Sequence, residues 1–254
     1  MYAVLQTSLD QPITREVLEA AVMSTQTLSK PDCARLQREL FGFVAEKLSQ
    51  EDALGLQAAL RARNFPTDVV DESELPVLPP PKHGYAINVL ETGIALIDMY
   101  EHQEFYAKEQ IVFAAGGHVL HLKEVPYKNM EWVITPGARG SVHRNVEMVT
   151  EHRLDNVPEF RLELFSLAGA ARLQWVLTQD AVLHMNGTNL KLRDRDKLDD
   201  ALAMLGGLLP PEQTNLGIKK AGSNEQFVYP SVHAFEEEII WSLYRMANGA
   251  EGTA

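Results

Sequence analysis

The stretch SELPVLPPPKHGYAI, Ser73 to Ile87, places Pro76, Pro79, Pro80 and Pro81 within six residues. Each proline lacks a backbone donor and disfavours a helical conformation in the residue before it. The stretch therefore reads as an extended, semi-rigid spacer of polyproline character, rising about 3 Å per residue. Helical periodicity dominates before it and strand periodicity after it. The expectation is an α+β chain of two domains, residues 1–75 and 84–247, with a proline-rich linker at 76–83 and a flexible tail at 248–254.

Residues 2–8, YAVLQTS, read as a strand that ends in the turn-forming Asp10-Gln11-Pro12. Thr14 suits a helix N-cap, and Val17, Leu18, Ala21 and Val22 then mark one apolar face. A second helix begins near Pro31, which suits a first turn, and Leu36, Leu40 and Cys33 share its stripe. Residues 42–48 read as a strand. Ser49 caps a third helix through Arg63, whose Ala53, Leu56 and Leu60 align, and Asn64 suits the left-handed position after it. PTDVVD follows as a third strand. The predicted order is β-α-α-β-α-β, one small sheet with its helices on one face.

The helix pair in REVLEAAVMSTQTLSKPDCARLQREL, followed by VAEKLSQEDALGLQAALRARNFPTDVV, resembles the C-terminal domain of the bacterial ribosomal stalk protein and the ClpS-like adaptor fold of the same topology. The resemblance covers about 70 residues. It implies a scaffold that presents a helical face to another protein. Where the stalk family presents lysines on its first helices, this chain has Arg15, Glu16 and Glu19.

After the linker, YAINVLETGIALIDM predicts two short strands about Glu91-Thr92-Gly93. QEFYAKEQIVFAAGGHVLHLKEV continues in strand, with Gly116-Gly117 as a turn or bulge. Residues 125–160 read as a long irregular connection containing one strand. Alternation returns at EFRLELF and breaks near Gly169; Asn186-Gly187 is a hairpin signal. Asp196 is the expected cap of a penultimate helix. Ser231 is the expected cap of a last one, with Val232, Phe235, Ile239, Leu243 and Met246 as its apolar stripe. Glu236, Glu237 and Glu238 read as acidic residues near its N-terminal end, where the helix dipole favours them. Many short strands closed by a helix resemble a pleckstrin-homology-like (PH-like) barrel or half-barrel. The two-part arrangement is similar to a group of bacterial two-domain proteins.

A formal net charge of −12 argues against binding nucleic-acid phosphates or an anionic membrane, both of which select Lys and Arg. The single cysteine, Cys33, excludes an intrachain disulfide and a sulfur-ligated zinc cluster. No apolar run reaches the ~20 residues of a membrane-spanning helix, and the N-terminus lacks the basic region of a signal peptide. The expectation is a bacterial cytoplasmic protein without a cofactor.

No catalytic motif is present, so no catalytic residue is assigned. His118 and His121 are candidate metal ligands, with His143, His184 or Glu131 as further ligands. On a strand, however, residues three apart point to opposite faces. PGARGSVHR offers Arg139 and Arg144 as candidate anion-binding residues in a glycine-bearing loop, but it is neither a Walker loop nor GxGxxG. Ser141 near His143 lacks the surrounding GxSxG elbow. The leading expectation is a noncatalytic protein-interaction or regulatory module whose partner is another protein; the alternative is an enzyme or a metal or small-ligand binder using the histidine region.

Overall fold

A computed structural model of the chain describes residues 1–98, 100–136, 142–166, 171–223 and 227–249; of 131–136, 142–147 and 149 it describes the backbone alone. The described residues form a mixed α+β structure with six α-helices and three sheets, none closed into a barrel. The closed form of the expected barrel is thus absent among the described residues, whose three sheets are open.

The first sheet holds β1 (Tyr2–Gln6), β2 (Phe43–Leu48) and β3 (Thr67–Asp71) in the order β2-β1-β3, all antiparallel. Between them run α1 (Arg15–Val22), α2 (Lys30–Arg38) and α3 (Gln50–Arg61). The caps are local chemistry. The Ser49 side chain accepts from the Asp52 amide, Ser29 and Asp32 form a reciprocal capping box, and Asn64 takes φ +63°. Val4 faces α1–α3 in a core with Leu18, Cys33, Leu56 and Leu60. Ala3 and Leu5, alternating to the other face, meet Ile240, Trp241 and Tyr244 of the C-terminal α6 (Val232–Gly249). The first sheet is therefore covered on both faces, not on one as expected.

The second sheet has the order β13-β8-β9-β10-β4, from β4 (Pro81–His83), β8 (Ile111–Pro136), β9 (Val142–Ser166), β10 (Ala171–Leu177) and β13 (Val228–Tyr229). The last three residues of the expected linker form β4, paired parallel to β10. Pro81 opens β4 at the sheet edge, where a missing donor is tolerated. The third sheet, β12-β11-β5-β6-β7, is built from β5 (Ala86–Leu90), β6 (Gly93–Ile97), β7 (Gln103–Ala107), β11 (Leu183–Met185) and β12 (Thr188–Leu190). Asn186 (φ +48°) and Gly187 (φ +73°) make the β11–β12 turn as the sequence predicts.

α4 (Arg195–Leu208) places Leu198, Leu202 and Leu205 in the largest core, with Phe160, Leu162 and Leu164 of β9 and Ile87 and Ile94 of the third sheet. Its N-cap position is Asp194, two residues before the expected Asp196. Gly116 is not a turn but lies inside β8, where a Cβ would stand 2.3 Å from Leu202 Cδ2; the glycine lets α4 approach the strand.

α6 lies between the first and second sheets. Its Phe235 and Ile239 pack on Phe113, Val119 and Phe165 of the second sheet, while Trp241 and Tyr244 pack on the first. Full burial of each such apolar side chain is worth about 1.5–3 kcal/mol. One helix, α6, contributes side chains to the cores on both sides of the proline segment. Helical structure continues through Gly249, into the expected tail, of which residues 250–254 lie outside those described.

Candidate interaction surface

The expected irregular connection at 125–160 is regular. β8 and β9 pair without interruption from Phe113↔Phe165 to Pro136↔Val142. β10 accompanies β9 only over Phe160–Ser166, and β13 accompanies β8 only at His118 and Val119. Beyond these, among the described residues, the two strands have no further strand neighbour. From Leu122 to Pro136 the ribbon rises about 50 Å at ~3.3 Å per residue. The chain thus carries a two-stranded arm.

Directly paired residues share a face, so the register assigns each arm residue to one of two faces. On one face lie Leu122, Pro126 and Met130 of β8, with Leu154 and Met148 of β9; Glu124, Lys128, Thr150, His152 and Asn156 lie among them. Leu122, Met130, Met148 and Leu154 are 58–72% exposed. This face continues the one that α4 covers nearer the body, where His118 bonds Asp199 of α4 through Nε2 at 3.3 Å and packs edge-on against Phe160. Burial, reinforced by Arg195, holds the His118 pKa below the ordinary imidazole value despite Asp199. Farther out on this face Leu122, Leu154, Met130 and Met148 stand exposed.

The opposite face carries His121, Lys123, Glu151, Arg153 and Asp155 beside Val125, Tyr127 and Val157. Arg153 stacks on Tyr127 with its guanidinium 4.9 Å from the ring centre. At the root, Glu159 is buried (1% exposed) and gathers three nitrogen groups: His121 Nδ1 at 3.0 Å, Arg161 Nη2 at 3.2 Å, and Lys123 Nζ. Burial alone would raise the Glu159 pKa; Lys123, His121 and Arg161 outweigh it and hold the carboxyl below its usual value. Further along β9, Glu163 accepts from Arg172 Nε at 2.7 Å, Arg172 Nη2 at 2.9 Å and Gln174 Nε2 at 2.6 Å, all from β10, and Arg172 also reaches Glu236 of α6 at 2.7 Å. These pairs fix the base of the arm to the body.

The candidate metal pair is not assembled. His118 and His121 occupy opposite faces of β8, with Asp199 and Glu159 as their respective partners. His184 bonds Asn189 at 2.6 Å in the third sheet. Arg139 and Ser141 lie outside the described residues, as do the side chains of Glu131, His143 and Arg144.

Sequence reasoning missed another cluster. Glu46 of β2 and His233 and Glu237 of α6 bring their ligand-type atoms within 4.8 Å of one another. Its legible trace was the i, i+4 spacing of His233 and Glu237, which places both on one helix face.

No protein family, curated protein or solved structure matches the chain. No described helix is long and apolar enough to cross a membrane.

Proposed function

We propose that this chain is a noncatalytic protein-interaction module and that its arm is the contact element, meeting the arm of a second copy. The observation that carries this reading is the exposure of Leu122, Met130, Met148 and Leu154 on one face of a ribbon anchored by buried ion pairs. Two pairs of exposed large apolar residues on one strand face, Met130 with Met148 and Leu122 with Leu154, favour a surface that something binds.

Charge favours a second copy. Between Leu122 and Val157 the sequence holds Lys123, Lys128, Arg139, Arg144 and Arg153 against Glu124, Glu131, Glu147, Glu151 and Asp155, so the whole net charge of −12 belongs to the rest of the chain. Two arms can meet without like-charge repulsion. Their acidic bodies then stand several screening lengths apart, each about 8 Å at physiological salt. Pro126 and Pro158 offer no donor to a neighbouring strand, which disfavours open-ended edge pairing and favours contact through the face.

The resemblance of residues 1–75 to a protein-binding adaptor scaffold agrees with an interaction role, and a division near 76–83 and a bacterial cytoplasmic setting belong to the same proposal. The test is sedimentation equilibrium on the full chain and on a variant in which residues 125–153 are replaced by an Asn-Gly turn. The reading expects a wild-type dimer and a folded monomeric variant. A wild-type chain that stays monomeric at high micromolar concentration overturns it.

A further inference from the structure

We infer that Glu46, His233 and Glu237 form a site for a first-row transition dication, zinc fitting the donors best, and that the bound ion clamps α6 to the first sheet. His233 and Glu237 stand one helical turn apart near the start of α6, and Glu46 projects from β2 across from them. With Glu39 and the rim residues Arg35 and Lys47 they line a cavity of about 170 Å³. That volume accommodates an ion with several waters at about 30 Å³ each.

Glu237 supplies the independent sign of a missing ligand. The residue is only 6% exposed, and its Oε2 is buried with no hydrogen-bond partner. An ionised Oε2 lacks a donor there; a protonated one lacks an acceptor. Either form leaves a buried polar atom unsatisfied, which is costly. A cation satisfies it. The other oxygen, Oε1, lies 3.3 Å from His233 Nε2. A tetrahedral ion with bonds near 2.0 Å holds its donors about 3.3 Å apart, so this pair already has the spacing of two zinc ligands.

The donor set narrows the metal. One imidazole nitrogen with carboxylate oxygens suits zinc, manganese or iron(II); magnesium and calcium take oxygen shells. Negative charge dominates the site. Glu46, Glu39 and Glu237 all line the one cavity. The two basic neighbours are half or more exposed and already engaged: Arg35 pairs with Glu39 at 3.3 Å, and Lys47 with Glu46 at 3.9 Å. His233 is itself 59% exposed in its side chain, which gives an ion access from solvent.

The experiment is zinc titration of chelator-treated full-length protein, read by calorimetry, with thermal melts with and without zinc. One zinc per chain is expected at micromolar affinity or better, with a higher melting temperature on loading. His233→Ala and, from the other side of the cavity, Glu46→Gln are each expected to weaken binding at least about tenfold, since even second-layer changes around a metal cost that much. Neither variant should then gain stability from zinc. His121→Ala, far from the cavity, should bind as wild type does. Cobalt(II) should give a tetrahedral visible spectrum that His233→Ala abolishes. No stoichiometric binding, as for a cavity that holds only water, overturns the inference. So does binding that persists unchanged in His233→Ala and Glu46→Gln.

Discussion

The indole Nε1 of Trp241 donates to the carbonyl oxygen of Gln6 at 2.7 Å, joining α6 to the first strand. Arg245 Nη2 reaches the same oxygen at 2.5 Å, and its Nη1 pairs with Asp68 at 2.6 Å. Gly42 makes room for the indole: at φ +100°, a Cβ there would lie 2.3 Å from Trp241 Cγ. Gly42→Ala therefore strains the backbone and displaces the indole, and it should cost about 2 kcal/mol or more in chemical denaturation. Trp241→Phe keeps the ring, and Arg245 still satisfies Gln6. That change should cost only about 0.5–1.5 kcal/mol. Equal losses in the two variants would refute the steric role of Gly42.

Arg172→Met removes the two guanidinium bonds that hold the fully buried Glu163 and leaves the Gln174 amide donating to it. Breaking one side of a buried pair costs about 3–5 kcal/mol, because the remaining charge is uncompensated. The double variant Arg172→Met with Glu163→Leu should recover part of that loss. Denaturation midpoints of the three proteins make the comparison, and a double variant no more stable than Arg172→Met contradicts it.

Glu238 is buried beneath Tyr229, whose hydroxyl donates to Oε2 at 2.5 Å, while the Leu216 amide donates to Oε1 at 2.6 Å. Burial pushes its pKa up from 4.5 to about 7, against the pull of these two bonds and of Lys219 and Lys220. Between those values the folded chain keeps a proton that the unfolded chain has released. The folded state binds more protons, so this group's contribution to stability grows as pH falls from ~8 toward ~5, by up to about 3 kcal/mol. Glu238→Gln removes the titration. Melting curves across that range should show wild type gaining relative to the variant as pH falls, and parallel curves would disprove it.

Met148→Lys and Leu154→Lys place charge on the apolar face of the arm, at positions already exposed, and should leave the melting temperature within about 1–2 °C of wild type. If that face mates with its copy, each change should weaken the association at least about tenfold, by burying an unpaired cation. Sedimentation equilibrium reads both. Undiminished association in the double variant would exclude this face.

Much of residues 1–71 was legible because its signals are local. Ser49, Asn64 and the stripe of Ala53, Leu56 and Leu60 each fix a boundary or a face within a few residues. The arm was not. Hydrophobic alternation marks a strand when one face is buried by the fold, and here Lys128 and Glu124 interrupt the apolar face while Pro126 and Pro158 imitate loop punctuation. The three consecutive glutamates were read as a dipole-matched run near the start of α6. In the structure, successive side chains about 100° apart on the helix go to Arg172, to the cavity with His233, and to Tyr229. The burial of Glu237 and Glu238 on different sides of α6 follows from its place between two sheets, and that place depends on contacts with Gln6 and Asp68 that no local pattern encodes.

Because α6 closes the second face of the first sheet, β1 emerges from the ribosome well before the helix that shields Ala3 and Leu5 from water. During synthesis the nascent β1 exposes that greasy surface until α6 is made, about ten seconds or more at typical elongation rates. A chain truncated before Val232 would carry the same exposure permanently, which makes premature termination a route to aggregation for this protein.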